Sequence, residues 1–207
     1  MHKQLNIGLN LGLVGNALFI GFASVCAVYY LIYDPESTLT RVVEIIAYAL
    51  EFGGFLTLIA ADVLIARTTR MRKWMKIGFT FYIIMEAFMM FCELDPFRVE
   101  SFYDPYSFAL AIVHSIISAA VCLSFLSLDP YKAKFETVVI VCVGMMLGGM
   151  FGNLMGIRIY FSIFVNAVAF TVLFGAIKFL QKREEIEIDC HGDKAKVTEY
   201  SQKDFFE

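Results

Sequence analysis

A chain of 207 residues with 59% hydrophobic side chains, 15% aromatics and a mean hydropathy of +0.69 is too apolar for a water-soluble domain. Its net charge of −3 is near neutral and says nothing about nucleic acid, its basic residues are clustered, and only four prolines among 207 residues exclude a low-complexity chain. Five cysteines, an odd number without a C-x-x-C pair, form neither a disulfide framework nor a zinc site.

Six apolar runs reach the ~17–25 residues needed to cross a bilayer as a helix. They lie near 8–33, 42–66, 75–94, 106–128, 136–156 and 159–180. The expectation is an all-α polytopic membrane protein, a six-helix transmembrane bundle over 1–181 with a short polar tail over 182–207. Cys26, Cys92, Cys122 and Cys142 fall inside these runs and read as small buried apolar side chains.

The first run is too long for the ~7–15-residue core of a signal peptide and lacks a small-x-small cleavage site, so it reads as a membrane span. It carries Asn16 and Ser24. The second carries three carboxylates, Glu44, Glu51 and Asp62, spaced by 7 and 11 positions. At 100° per residue these fall within about 20° of one another, one acidic stripe on a helix. A charge at the bilayer centre costs roughly 2.5–3.5 kcal/mol on insertion scales, so the stripe should face protein or water.

The third run holds Glu86 and, seven residues on, Glu93 on the same face, with Tyr82 and Met89 beside them. The fourth holds His114, then Ser118 and Cys122 at four-residue intervals. The fifth has Gly144, Gly148, Gly152 and Gly156 in strict four-residue register, a glycine zipper that lets a second helix approach closely. That helix would belong to this chain, to a second copy or to another membrane partner. Met145, Met146, Met150 and Met155 surround the groove as adaptable filler. The sixth run holds Asn166.

Beyond Gln181 the chain turns polar. Ile186, Ile188 and Cys190 alternate with charges, His191-Gly192-Asp193 suits a turn, and Ala195 and Val197 alternate again, a pattern that fits a β-hairpin or a solvated tail.

Orientation follows the basic residues. Arg67, Arg70, Arg72, Lys73 and Lys76 fill the second loop, Lys132 and Lys134 the fourth, and Lys178, Lys182 and Arg183 open the tail. Arg41, Arg98 and Arg158 fall on the other side. The positive-inside rule then places both termini in the cytoplasm, in the plasma membrane. Each proline follows an aspartate, at Asp34, Asp95, Asp104 and Asp129, and each pair marks a span end. Gly53-Gly54 and Gly148-Gly149 each begin 19 residues after such an aspartate, as they would in two inverted three-helix halves with glycine-broken helices at matching positions.

Measured from the outer helix ends at 1.5 Å per residue, Glu51 lies ~15 Å deep, and Glu86, His114 and Asn166 ~13 Å, with Ser24 at a similar level. Against a ~30 Å hydrocarbon core all are near the midplane. Glu93 extends the set outward, and Asp62, Glu44 and Asn16 extend it toward the two faces. Asp34, Glu36, Asp95, Glu100 and Asp104 give the outer loops an acidic mouth.

Intramembrane carboxylates and histidines in series build proton and cation paths. The leading expectation is therefore a small transporter or channel-like protein with a midplane site for a proton, a cation or a cationic solute. Two alternatives stand beside it: a non-enzymatic membrane subunit or sensor working in a complex, and a lipid-modifying enzyme using Glu51 and Glu86 as paired carboxylates. Intramembrane polar groups also hydrogen-bond between helices simply to hold a bundle together. Glu51, Glu86 and His114 could meet at one divalent ion, but no metal or cofactor motif occurs.

Overall fold

Within lipid a backbone must satisfy its own hydrogen bonds, so apolar runs of this length have helix as their only open-ended solution. The computed structural model describes residues 2–34, 36–68, 73–92, 105–125, 132–155 and 159–184, and all but a few at helix ends are helical. The elements are α1 (His2–Ile32), α2 (Thr38–Thr68), α3 (Lys73–Cys92), α4 (Pro105–Ser124), α5 (Lys132–Leu154) and α6 (Ile159–Glu184). Each apolar run has become one helix, extended by up to six residues into its polar flanks. Glu93, Gly156, the outer acids Asp95, Glu100 and Asp104, and the tail with its expected hairpin lie outside the described residues.

Four helices are long and apolar enough to cross a membrane, over Gln4–Ile32, Thr38–Arg67, Glu136–Leu154 and Tyr160–Phe179. The apolar stretches of α3 and α4 are shorter, Ile77–Phe88 and Ile112–Leu123. The surface is inverted relative to a water-soluble protein. Leu31, Ile45, Phe81 and Phe179 are each more than 60% exposed, whereas Asn16, Asp62, Glu86, Ser115 and Ser118 are 2% exposed or less. An apolar exterior around a polar interior suits lipid and not water.

Helix ends follow the punctuation expected of aspartate and proline. At the start of α2, Asp34 Oδ1 accepts from the Glu36 amide at 3.1 Å and Ser37 Oγ accepts from the Leu39 amide at 3.2 Å. α4 opens on Pro105, whose missing amide hydrogen costs nothing in a first turn.

α1 packs most extensively on α2, and also on α6; α2 meets α3, α3 meets α4, and α4 meets α6. Those five helices close a ring. α5 touches α4 and α6 and covers their seam from outside. The tight α1–α2 contact needs glycine at two points. A Cβ on Gly15 would sit 2.8 Å from the Leu58 side chain and 3.2 Å from its backbone nitrogen. A Cβ on Gly54 would sit 2.9 Å from the Phe19 ring.

One expectation about glycine is corrected here. α2 runs unbroken through Gly53-Gly54, and α5 through Gly148-Gly149. Gly54 makes room for a ring, and the Thr57 hydroxyl donates to the Gly53 carbonyl without opening the helix. Gly53 and Gly148, which occupy matching positions, would place a Cβ in ordinary contact with Leu18 at 3.5 Å and in open space, respectively. The second members, Gly54 and Gly149, each mark a close helix approach, so the pairs are alike in packing although neither breaks its helix. Of the zipper glycines, Gly144 is as open as Gly148, whereas Gly152 is buried. Gly149, one residue round the helix, carries the α5–α6 approach, where a Cβ would sit 3.4 Å from the Ser162 Cα.

Candidate functional site

The ring of five helices surrounds a cavity of about 50 Å³. α1 contributes Asn16 and Phe19, α2 Phe55 and Leu58, α3 Tyr82 and Glu86, α4 His114, and α6 Ile163, Asn166, Ala167 and Phe170. Most of the wall is apolar and rigid. Phe19 and Phe55 meet edge to face with centroids 4.8 Å apart, and the Tyr82 and Phe170 rings lie 5.6 Å apart. Against this wall four polar side chains stand out: Asn16, Glu86, His114 and Asn166.

Glu86 and His114 are paired. Glu86 Oε1 lies 2.6 Å from His114 Nε2, with Glu86 2% and His114 18% exposed. The imidazole donates to a carboxylate, or a carboxylic acid donates to the imidazole. Both forms fit this contact, and a single proton moved across it interconverts them. Short hydrogen bonds of this kind strengthen where the surroundings are apolar. Tyr82, one turn before Glu86 on α3, stacks on the His114 ring at 6.0 Å and 27°.

The second Glu86 oxygen, Oε2, is buried without a hydrogen-bond donor, as is Asn166 Oδ1 across the cavity. Asn166 uses its amide nitrogen to donate to Ser115 Oγ at 3.4 Å, which leaves the oxygen free to accept. Asn16 ties its amide to the Gly12 carbonyl at 2.8 Å. Buried polar atoms in native proteins are almost always partnered, by protein or by ordered water. A cavity this size accommodates about three to five waters at ~10–15 Å³ each.

Asp62 is the carboxylate that α2 brings toward this centre. It is 2% exposed and acts electrostatically on both Glu86 and Tyr82. The acidic stripe expected on α2 is therefore split among three environments. Glu51 is buried on the inward face, one turn from Phe55, but does not line the cavity. Glu44 is half-buried at the α1–α2 contact, where the Tyr29 hydroxyl donates to its Oε1 at 3.0 Å. Among the described residues no three His, Cys, Asp or Glu side chains converge to hold a metal ion, so Glu51 completes no such set with Glu86 and His114.

Span one also differs from expectation. Ser24 is exposed, its hydroxyl returned to the Ile20 carbonyl at 2.8 Å, a bond that lets serine face lipid. Asn16, two helical turns away, takes its place in the cavity. Ser115, Ser162 and Asn153 were not singled out by the sequence reading, yet all three are 3% exposed or less. The signal was available: Ser162 precedes Asn166 by four residues and Ser115 directly follows His114.

No protein-family model matches the chain, and no match was found among curated proteins or solved structures.

Proposed function

We propose that this is a small six-span membrane protein that passes a proton or a small cation across the bilayer by way of the Glu86–His114 pair. The observation that carries the reading is the 2.6 Å pair itself, set in a cavity reached by five helices and bordered by the unpartnered Glu86 Oε2 and Asn166 Oδ1. A carboxylate held only for packing would have its second oxygen bonded too. The volume of about 50 Å³ argues against an organic cationic solute and for water, a proton or a single ion.

On this reading α3 and α4 also cross the membrane, since Glu86 and His114 share a cavity with residues from α1, α2 and α6. Both helices contain 20 residues, about 30 Å at 1.5 Å per residue, the thickness of the hydrocarbon core. The basic residues of the second and fourth loops and of the tail start place both termini in the cytoplasm, with the plasma membrane as the location. In vesicles reconstituted with the chain, wild type moves protons or alkali cations down an imposed gradient, and Glu86→Gln abolishes this movement while remaining folded. Equal rates for both proteins exclude the pair from conduction.

One observation favours a second role, assembly with another copy or membrane partner. Gly144 and Gly148 lie on an exposed face of α5 with open space above them, beside the exposed Ile140 and Val141. On that reading Gly148→Leu changes the particle mass in nanodiscs, and an unchanged monomer mass in both proteins rejects it.

A further inference from the structure

Buried polar atoms that lack a protein partner are not scattered through this molecule. Among the described residues they belong to Asn153 (both side-chain atoms), Asn166, Glu86, Ser118 and Asp62, none more than 5% exposed. These five residues fall in order of depth. Asn153 is in the last turn of α5, at the outer side. Asn166 lies seven residues into α6 and Glu86 six before the end of α3, each about 10 Å in. Ser118 is thirteen residues into α4, about 20 Å deep. Asp62 is six residues from the inner end of α2, about 9 Å from the cytoplasmic side.

Contacts join the steps. α5 and α6 cross where Gly149 lies against Ser162. Asn153 is one turn outward of that crossing on α5, and Asn166 one turn inward on α6. Asn166 then reaches Ser115, the neighbour of His114; Ser118 lies one turn inward of His114 on α4, and Asp62 lies near enough to Glu86 to act on it electrostatically. Among the described residues no unpartnered buried polar atom lies near Glu44, whose carboxylate accepts from Tyr29.

We infer that these side chains hold a file of water that carries protons across the membrane, entering between α5 and α6 at Asn153, passing Glu86–His114 and leaving past Asp62. The inference rests on the conduction reading above and narrows its cargo to the proton. Amides, hydroxyls, two carboxyl groups and an imidazole hold water and relay hydrogen, whereas among the described residues no three His, Cys, Asp or Glu side chains gather to replace the shell of a metal cation. Each hop moves one proton between neighbouring oxygens or onto His114, so every group regains its starting form after a full passage.

The test uses the full chain in vesicles containing a pH-sensitive dye, with an inside-negative potassium–valinomycin potential. Wild type acidifies the lumen, Asn153→Leu slows acidification at least tenfold, Asn153→Ser retains most of it, and Val141→Ala on the exposed face of α5 matches wild type. Should Asn153→Leu not fold, Ser162→Ala is read in its place, with a loss of threefold or more expected. Acidification by the folded variant at the wild-type rate overturns the route. A sodium-sensitive dye in parallel vesicles separates the two levels of the argument. Sodium uptake without proton uptake defeats this inference alone, and the absence of both fluxes defeats the conduction reading with it.

Discussion

At the level of single residues, Glu86 and His114 have different jobs although they touch. Glu86→Gln keeps a side chain of the same shape beside the imidazole, so its folded state should be within about 1 kcal/mol of wild type while conduction is lost. His114→Ala instead leaves Glu86 Oε1 buried without a donor, and should cost about 1–3 kcal/mol of stability as well as conduction. Thermal unfolding in detergent beside vesicle flux separates the two effects. Tyr29→Phe removes the bond to Glu44, far from the cavity. Its expected cost is about 0.6 kcal/mol, with flux unchanged.

Depth along each helix was legible at this scale, because rise per residue is fixed; that is why Glu86, His114 and Asn166 were found together. Azimuth was legible only where charge imposes it. Ser24 and Asn16 differ by eight residues, which sets them about 80° apart round α1, and Ser24 is exposed whereas Asn16 is buried. A serine that bonds its own backbone can face lipid, whereas an asparagine with two free groups needs protein or water on its other side.

The helices themselves were readable from hydropathy, since a bilayer permits few other structures. Which glycines bring them together was not. A four-residue glycine register marks a face where close approach is allowed, and nothing in it says that a partner belongs to the same chain. In the fold, Gly144 and Gly148 are open, whereas Gly15 and Gly54 are where α1 and α2 meet most closely. Gly54→Ala should therefore be destabilising by about 1–3 kcal/mol, because the Phe19 ring it would push is already held against Phe22 and Phe55. Gly148→Ala should be within about 0.5 kcal/mol of wild type. Equal unfolding temperatures for these two variants would contradict this division of the glycines.

For the whole molecule, the decisive feature is the reversal of a soluble protein: a lipid-facing apolar coat, and a polar centre bordered by five helices. The sequence carries the coat directly, through composition. The centre follows from it only in part, because the acids of α2 were expected to face one cavity and instead divide between Tyr29, an inward position beside Phe55, and Glu86. Helix rotation and crossing decide that division, and neither is written in spacing along a single helix.

The central claim is that the Glu86–His114 proton is in contact with water inside the bundle. Infrared bands lost in Glu86→Gln identify the pair, and their shift after transfer of wild-type protein into D₂O measures that contact. Exchange complete within seconds, far faster than that of the helical backbone amides, is the predicted result. Bands that hold their position for hours would mean a dry, structural pair and would contradict the account.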